Sequence, residues 1–229
     1  MEVSIGRGWR RRFLDFAFAR ALTSAGMGKI IVLGVTGASG AVFARRAIQM
    51  LEADRRVGKI HLVVSGSGLK VLREELEVEV SKSVAVAATL AGGPAPKTEY
   101  LLDSDIGASI ASGSYPVDGM LVMPCSTGCL AQIANGISST LIERAADVCL
   151  KEGRKLILAV RDTPLSRVHL KNMLAAQEAG AVIFPIMPAF YHRPASIEDL
   201  VTQFTCRVLA HLGLEQKHQF KWKGERSRG

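Results

Sequence analysis

No apolar stretch in the 229 residues reaches the ~20 positions that a bilayer-spanning helix requires, so nothing in the chain is expected to cross a membrane. Cysteine is scarce. The four, Cys125, Cys129, Cys149 and Cys206, form no CxxC pair and have no histidine at zinc-finger spacing, which argues against a disulfide framework and a structural zinc site. Reduced thiols in a cytoplasm fit this pattern. Cys125 and Cys129 flank a loop where a ligand can reach them, whereas Cys149 and Cys206 read as small buried hydrophobes. Of the five histidines none falls in the small-residue turns described below, so neither a metal cluster nor a Ser-His-Asp arrangement is expected. His169 and His192 read as surface or packing residues. A GxGxxG dinucleotide fingerprint and internal repeats are absent as well.

A formal charge of +8 would suit a nucleic-acid partner if it were gathered on one folded face. It is not gathered. Residues 1–29 hold six Lys or Arg against Glu2 and Asp15, and residues 212–229 hold five against Glu215 and Glu225, so the two ends account for +4 and +3 and leave +1 for the body. A nearly neutral body with basic ends predicts no nucleic-acid partner. Arg10, Arg11, Arg12, Phe13, Leu14, Phe16, Phe18 and Arg20 make the amino-terminal end basic and amphipathic. An organellar presequence, a start codon assigned ahead of Met27, and an extra helix all suit that stretch.

What is present is a globular composition, 48% hydrophobic and 22% charged, on a length that suits one well-buried domain. From Lys29 onward short apolar runs alternate with amphipathic stretches, the pattern of successive βαβ units. Strands are predicted over 30–35, 60–65, 120–123, 156–160 and 181–184, with a weaker sixth over 98–102. Helices are predicted over 41–53, 68–78, 141–152, 166–179 and 196–212, with Gly153 and Gly180 where carboxyl-terminal caps belong. Residues 92–97 and 103–114 read as loops. The expected fold is a single α/β domain over 29–214, a doubly wound, mostly parallel sheet with helices on both faces, flanked by basic segments 1–28 and 215–229.

In such folds ligands bind beyond the carboxyl ends of the strands, and the residues there are unusual. Thr36-Gly37-Ala38-Ser39-Gly40 precedes a helix and offers backbone N–H groups, a hydroxyl and a positive dipole end to a phosphate. Ser65-Gly66-Ser67-Gly68 and Ser126-Thr127-Gly128-Cys129 are further small-residue turns at the same rim, so one crevice for a nucleotide-like ligand is expected. Arg144 and Lys151 lie seven residues apart, on one helical face, although local pairing with Glu143 and Asp147 would also explain that charged helix. Arg161, Asp162 and Tyr191 follow strands, and of these Arg161 and Tyr191, together with Arg207, could supply the fork-shaped and phenolic donors a dianionic phosphate demands.

Taken in order, Val35 to Gly40, Ala111 to Ser114, Pro124 to Gly128, Leu141 to Val148, and Pro188 to Tyr191 make the chain resemble the UbiX-like flavin prenyltransferases from about Ile30 to Leu214. The resemblance implies FMN on Gly37, Ala38, Ser39, Ser65, Ser126, Thr127, Gly128, Cys129 and Arg161. It implies dimethylallyl phosphate on Ser112, Gly113, Arg144, Lys151, Tyr191 and Arg207, with Ser39 and Glu75 managing protons near the flavin. Reduced FMN would be alkylated at N5 and closed onto C6, without a metal, by a homo-oligomer, a dodecamer with sites between subunits, that serves a UbiD-type decarboxylase. Two positions depart from the family. Asp162 stands where a glutamate is expected at the phosphate site beside Lys151, and Ile106 stands where some members carry a tryptophan. A flavin-dependent cysteine decarboxylase on the same fold and a non-catalytic FMN carrier are the alternatives. The former uses a histidine that has no counterpart in residues 100–115; the latter has no use for Lys151, Tyr191 and Arg207 together.

Overall fold

Lys29–Val35 (β1) is buried along almost its whole length, as a run without polar alternation must be if it is to lie in the middle of a sheet. In the computed structural model of the protein, which describes residues 28–78 and 85–221, this strand pairs in parallel with Val57–Val64 (β2) on one side and Gly119–Cys125 (β4) on the other. Thr98–Leu102 (β3), Lys155–Val160 (β5) and the two-residue Val182–Ile183 (β6) complete a six-stranded sheet in the order β3-β2-β1-β4-β5-β6. Every pairing is parallel. The basic stretch Arg10 to Arg20 and the chain beyond residue 221 lie outside the described residues. Residues 215–221, expected to be part of a tail, pack back on the domain: Arg56 donates to the Glu215 carbonyl at 2.9 Å and the Phe220 N–H to Gln203 Oε1 at 2.8 Å.

The chain winds outward from β1 to β3, then outward again from β4 to β6 in the opposite direction. Right-handed crossovers therefore send the two sets of helices to opposite faces. Ala41–Ala53 (α1), Gly66–Leu76 (α2) and Ala85–Ala91 (α3) cover one face, against Ile31, Leu33, Val35, Ile60 and Leu62. Thr127–Ala134 (α4), Leu141–Lys151 (α5) and Arg167–Glu178 (α6) cover the other, against Val32, Met120, Val122 and Leu158. The last helix, Ile197–His211 (α7), returns to the first face, where Phe204 meets the Phe43 ring edge-on at 5.0 Å. Helix α3 was not foreseen. Its sequence, AVAATLA, has no polar side to give it a period, and tertiary packing of Val86, Ala87 and Leu90 selects the helix. The expected loop 103–114 contains a short 3₁₀ turn at Ser109–Ala111.

One polar residue interrupts the interior of β2. His61 is fully buried, and burial, aided by Lys59 and opposed by Glu99, pushes its pKa down from 6.5 to about 4. The folded state thus binds this proton more weakly than the unfolded chain does. The stability due to neutral His61 is complete above pH 6.5 and is lost as the pH falls toward 4, by roughly 3 kcal/mol in all. Thermal melts between pH 7 and pH 4.5 should show a falling Tm, and His61→Gln should flatten part of that slope because it cannot take up the proton.

Candidate functional site

The reversal between β1 and β4 leaves a crevice at the carboxyl rim, and the two strand ends are knitted together there. The Thr36 hydroxyl donates to the Pro124 carbonyl at 2.8 Å and accepts the Ser126 N–H at 2.7 Å. Around this knot lies a cavity of about 200 Å³ whose walls include Thr36, Ser65, Ser126, Gly128 and Cys129. Ser65 and Ser126 double as helix caps, accepting the N–H of Gly68 at 3.0 Å and of Cys129 at 3.3 Å, which fixes each hydroxyl at the start of its helix. The first turn joins them by contact, since a Cβ on Gly37 would lie 2.4 Å from the Ser67 side chain. Three of the predicted turns therefore share one rim. Cys125 and Cys129 are buried; hydrogen bonding to Cys125 and burial hold the Cys129 thiol pKa well up.

The amino terminus of α1 differs from expectation. Its first two N–H groups are already taken, because the Glu75 carboxylate accepts from Gly40 at 2.9 Å and from Ala41 at 2.7 Å. Ser39 donates its hydroxyl to the same carboxylate. Burial pushes the Glu75 pKa up, but the Ser39 hydroxyl, the two N–H groups and the nearby Arg161 guanidinium outweigh it, leaving the group below its ordinary value. Glu75 is thus a firmly anionic group one hydrogen bond from an exposed serine. Beside Arg161, Asp162 accepts from the Thr127 hydroxyl at 3.1 Å, so it braces the α4 turn rather than lying near Lys151. Ile106 is exposed.

The remaining predicted cations separate into two groups. Ser112, Gly113, Arg144 and Lys151 come together along α5: Arg144 Nε donates to the Ala111 carbonyl at 3.2 Å, and a Cβ on Gly113 would lie 2.8 Å from Lys151 Nζ. Local pairing exists too, Arg144 with Asp147 at 2.7 Å and Lys151 with Glu152 at 2.6 Å. A helix after a parallel strand runs back toward the amino rim, so Lys151 sits ~15 Å along α5 from the crevice end, close to the start of β5. Tyr191 and Arg207 share a different cavity, of about 480 Å³, with Phe204 and Phe220. Arg207 also stacks over the Phe184 ring at 5.7 Å. Since α5 and α7 cover opposite faces, the sheet stands between the two groups. A single chain therefore presents three separate features: the rim crevice, the α5 cluster and the α7 cavity.

Several residues at these features escaped the sequence reading. Glu143, expected in a solvated charged helix, is buried, and its carboxylate accepts the N–H of Ser139 at 2.8 Å and of Thr140 at 3.0 Å at the edge of the crevice. The signal was legible, a Thr three residues ahead of a Glu at a helix start. Asp103 ties the end of β3 to the same helix, accepting from Ile142 N at 3.0 Å. Arg154 clamps the carbonyls of Gly113 and Tyr115 at 2.6 and 2.8 Å. Nothing local marks it.

The Flavoprotein family model matches residues 20–207. The flavin prenyltransferase UbiX of Halalkalibacterium halodurans is 41% identical over 198 residues, spanning 86% of this chain and 95% of its own. A crystal structure of AnUbiX (PadA1) in complex with FMN and dimethylallyl pyrophosphate superposes with a TM-score of 0.75 at 38% identity, covering 87% of this chain and 100% of that one. A dodecameric FMN-dependent UbiX-like decarboxylase from Escherichia coli O157:H7 gives a TM-score of 0.75 at 40% identity, covering 85% and 100%. An FMN-dependent cysteine decarboxylase, TvaF, shares the fold alone, at 16% identity and a TM-score of 0.51 over 68% of this chain and 88% of that one.

Proposed function

The chain belongs to the UbiX-type flavin prenyltransferases of the flavoprotein family, and from that premise we propose that it joins the dimethylallyl group of dimethylallyl phosphate to reduced FMN in a site that neighbouring copies complete. One observation carries the reading. Lys151 and Arg144 meet a Ser/Gly turn at Ser112–Gly113, a set of fixed cations and small donors suited to a phosphate leaving group. The cysteine decarboxylase alternative has only a fold in common, and a carrier would have no use for these cations.

The rim residues fit a flavin mononucleotide. The crevice is lined by hydroxyls for a polyol and phosphate, and Gly128 leaves open space, since a Cβ there would meet nothing within 4 Å. We assign FMN to Gly37, Ala38, Ser39, Ser65, the Ser126–Cys129 turn and Arg161. Reduced FMN supplies the nucleophilic N5 and C6. Lys151, Arg144, Ser112 and Gly113 of one copy, with Tyr191 and Arg207 of others, bind the prenyl phosphate and take up charge as its allylic C–O bond breaks. Glu75 receives a proton through the Ser39 hydroxyl, a task its anionic state suits. Assembly is required because the sheet keeps α5 and α7 apart, and a dodecamer like that of the Escherichia coli relative would bring them together. The product serves a UbiD-type decarboxylase, and a reducing cytoplasm suits the four unpaired thiols.

Anaerobic incubation with reduced FMN and dimethylallyl phosphate, followed by mass spectrometry of the bound flavin, tests the reaction. A flavin heavier by one prenyl unit is expected, and an unmodified flavin would refute the assignment. Gly113→Ala probes the phosphate turn. Its Cβ meets the mobile ends of Glu152 at 2.3 Å and Lys151 at 2.8 Å, so the fold tolerates it while the ammonium group is displaced. The KM for dimethylallyl phosphate should rise about tenfold with stability changed by about 0.5 kcal/mol or less, read from kinetics and a thermal melt.

A further inference from the structure

The loop that presents Ser112 and Gly113 is anchored at two heights. At the amino rim, the Arg154 guanidinium holds the carbonyls of Gly113 and Tyr115. Deeper in, the Tyr115 ring lies against the α5-side core, and its hydroxyl sits 2.8 Å from His61 Nε2. The two rings meet edge-on at 5.3 Å. Between the anchors the backbone turns tightly, with the Tyr115 N–H donating to the Ser112 carbonyl at 3.2 Å.

His61 is equipped for this contact. Its Nδ1 lies 3.3 Å from Glu99 Oε2 on the neighbouring strand, and Glu99 in turn pairs with Lys59 at 2.9 Å. Burial keeps the ring neutral. Nδ1 makes no hydrogen bond at that distance; with the proton on Nδ1, facing the carboxylate, Nε2 accepts the Tyr115 hydroxyl, and with the other tautomer Nε2 donates to it. Two apolar side chains would fill the same space at lower desolvation cost. What the polar pair adds is direction: a hydrogen bond fixes how far Tyr115 enters the core and how the ring is tilted, where a hydrophobic contact would allow sliding.

We propose that His61 is a positioning residue for the prenyl phosphate, setting through Tyr115 the height of the Ser112–Gly113 turn against Lys151. The inference rests on the reading above that this turn and Lys151 hold the phosphate. His61 touches no reacting atom; it acts through the loop.

The test uses the full-length assembled protein and four variants: Tyr115→Phe, His61→Gln, the double variant His61→Leu/Tyr115→Phe, and Lys151→Ala as a reference. Steady-state KM and kcat for dimethylallyl phosphate are measured beside FMN affinity and Tm. Tyr115→Phe should raise the KM about fivefold, the size of one hydrogen bond, with FMN affinity unchanged. His61→Gln, whose amide oxygen still accepts, should stay closer to the parent. The double variant replaces both polar groups by apolar ones, so it should regain the Tm of the parent while keeping the raised KM, and it covers the case in which Tyr115→Phe folds poorly. A lowered Tm with an unchanged KM in these variants would reduce the pair to core packing and overturn the proposal. If Lys151→Ala turns over normally, the phosphate assignment itself has failed. If Lys151→Ala is dead and the Tyr115 variants keep the parental KM, only the positioning role has failed.

Discussion

Oligomers assembled from Lys151→Ala chains and Arg207→Ala chains together should transfer the prenyl group well above the level of either variant alone. Lys151 extends from the end of α5 on one face of the sheet, and Arg207 lies on α7 on the other. No side-chain rotation carries either across six hydrogen-bonded strands. If both grip one phosphate, they come from different copies, and a mixed assembly contains sites that draw the intact Lys151 from one chain and the intact Arg207 from another. Each substitution removes a charge-assisted contact worth about 1.5–3 kcal/mol, enough to cut turnover on the order of 10- to 100-fold in the pure variant. FMN binding should survive in both, because the crevice at the carboxyl rim uses neither residue. Co-expression with two affinity tags isolates the mixed species. Activity that stays at the level of the pure variants, in material shown to contain both chains, would mean that the two cations serve different ligands.

Glu75→Gln should lower turnover by about 10²- to 10³-fold while leaving the fold intact, the range expected when a positioned proton acceptor is lost. The amide oxygen can still receive the N–H groups of Gly40 and Ala41, so α1 keeps its cap; Glu75→Ala, which removes that cap, should cost about 1 kcal/mol in addition. The pH dependence has a definite sign. Burial raises the Glu75 pKa, but Ser39, the two N–H groups and Arg161 lower it further, so the working anion persists below the ordinary carboxylate range. Any acid limb due to Glu75 therefore lies below pH 4.5, and Glu75→Gln should remove that limb along with the rate. A variant that kept the parental rate and profile would place the proton acceptor elsewhere.

The elements that were legible in the sequence are those whose pattern is local. The five strong strands and the weaker one all appear, and the helices over 41–53, 141–152, 166–179 and 196–212 deviate by a residue or so at their ends. Gly153 and Gly180 take positive φ where helices stop, 63° and 109°, because a residue without a Cβ enters the left-handed region without strain. What failed locally was α3, where a run of small apolar residues has no face, the reading of Thr127 and Gly128 as a turn when they open α4, and the state of the α1 terminus. A Gly-rich turn before a helix signals an anion, and the anion present is the protein's own Glu75, 35 positions away in sequence. His61 left a faint trace as the one polar residue within Ile60–Val64, yet its partner Tyr115 is 54 positions distant and could not be inferred.

By itself the sequence determined the fold class, the small-residue turns that share the carboxyl rim, and the family to which the chain belongs, since periodicity, turn chemistry and motif order are properties of neighbouring residues. Only the tertiary structure decided which of those residues share a space. Right-handed crossovers assign helices to one face or the other according to the direction in which the sheet grows, and a reversal between β1 and β4 put α5 and α7 on opposite sides. That choice depends on strand order, a relation among segments far apart in the chain, and it set the α5 cations and the α7 cavity on opposite faces of the sheet.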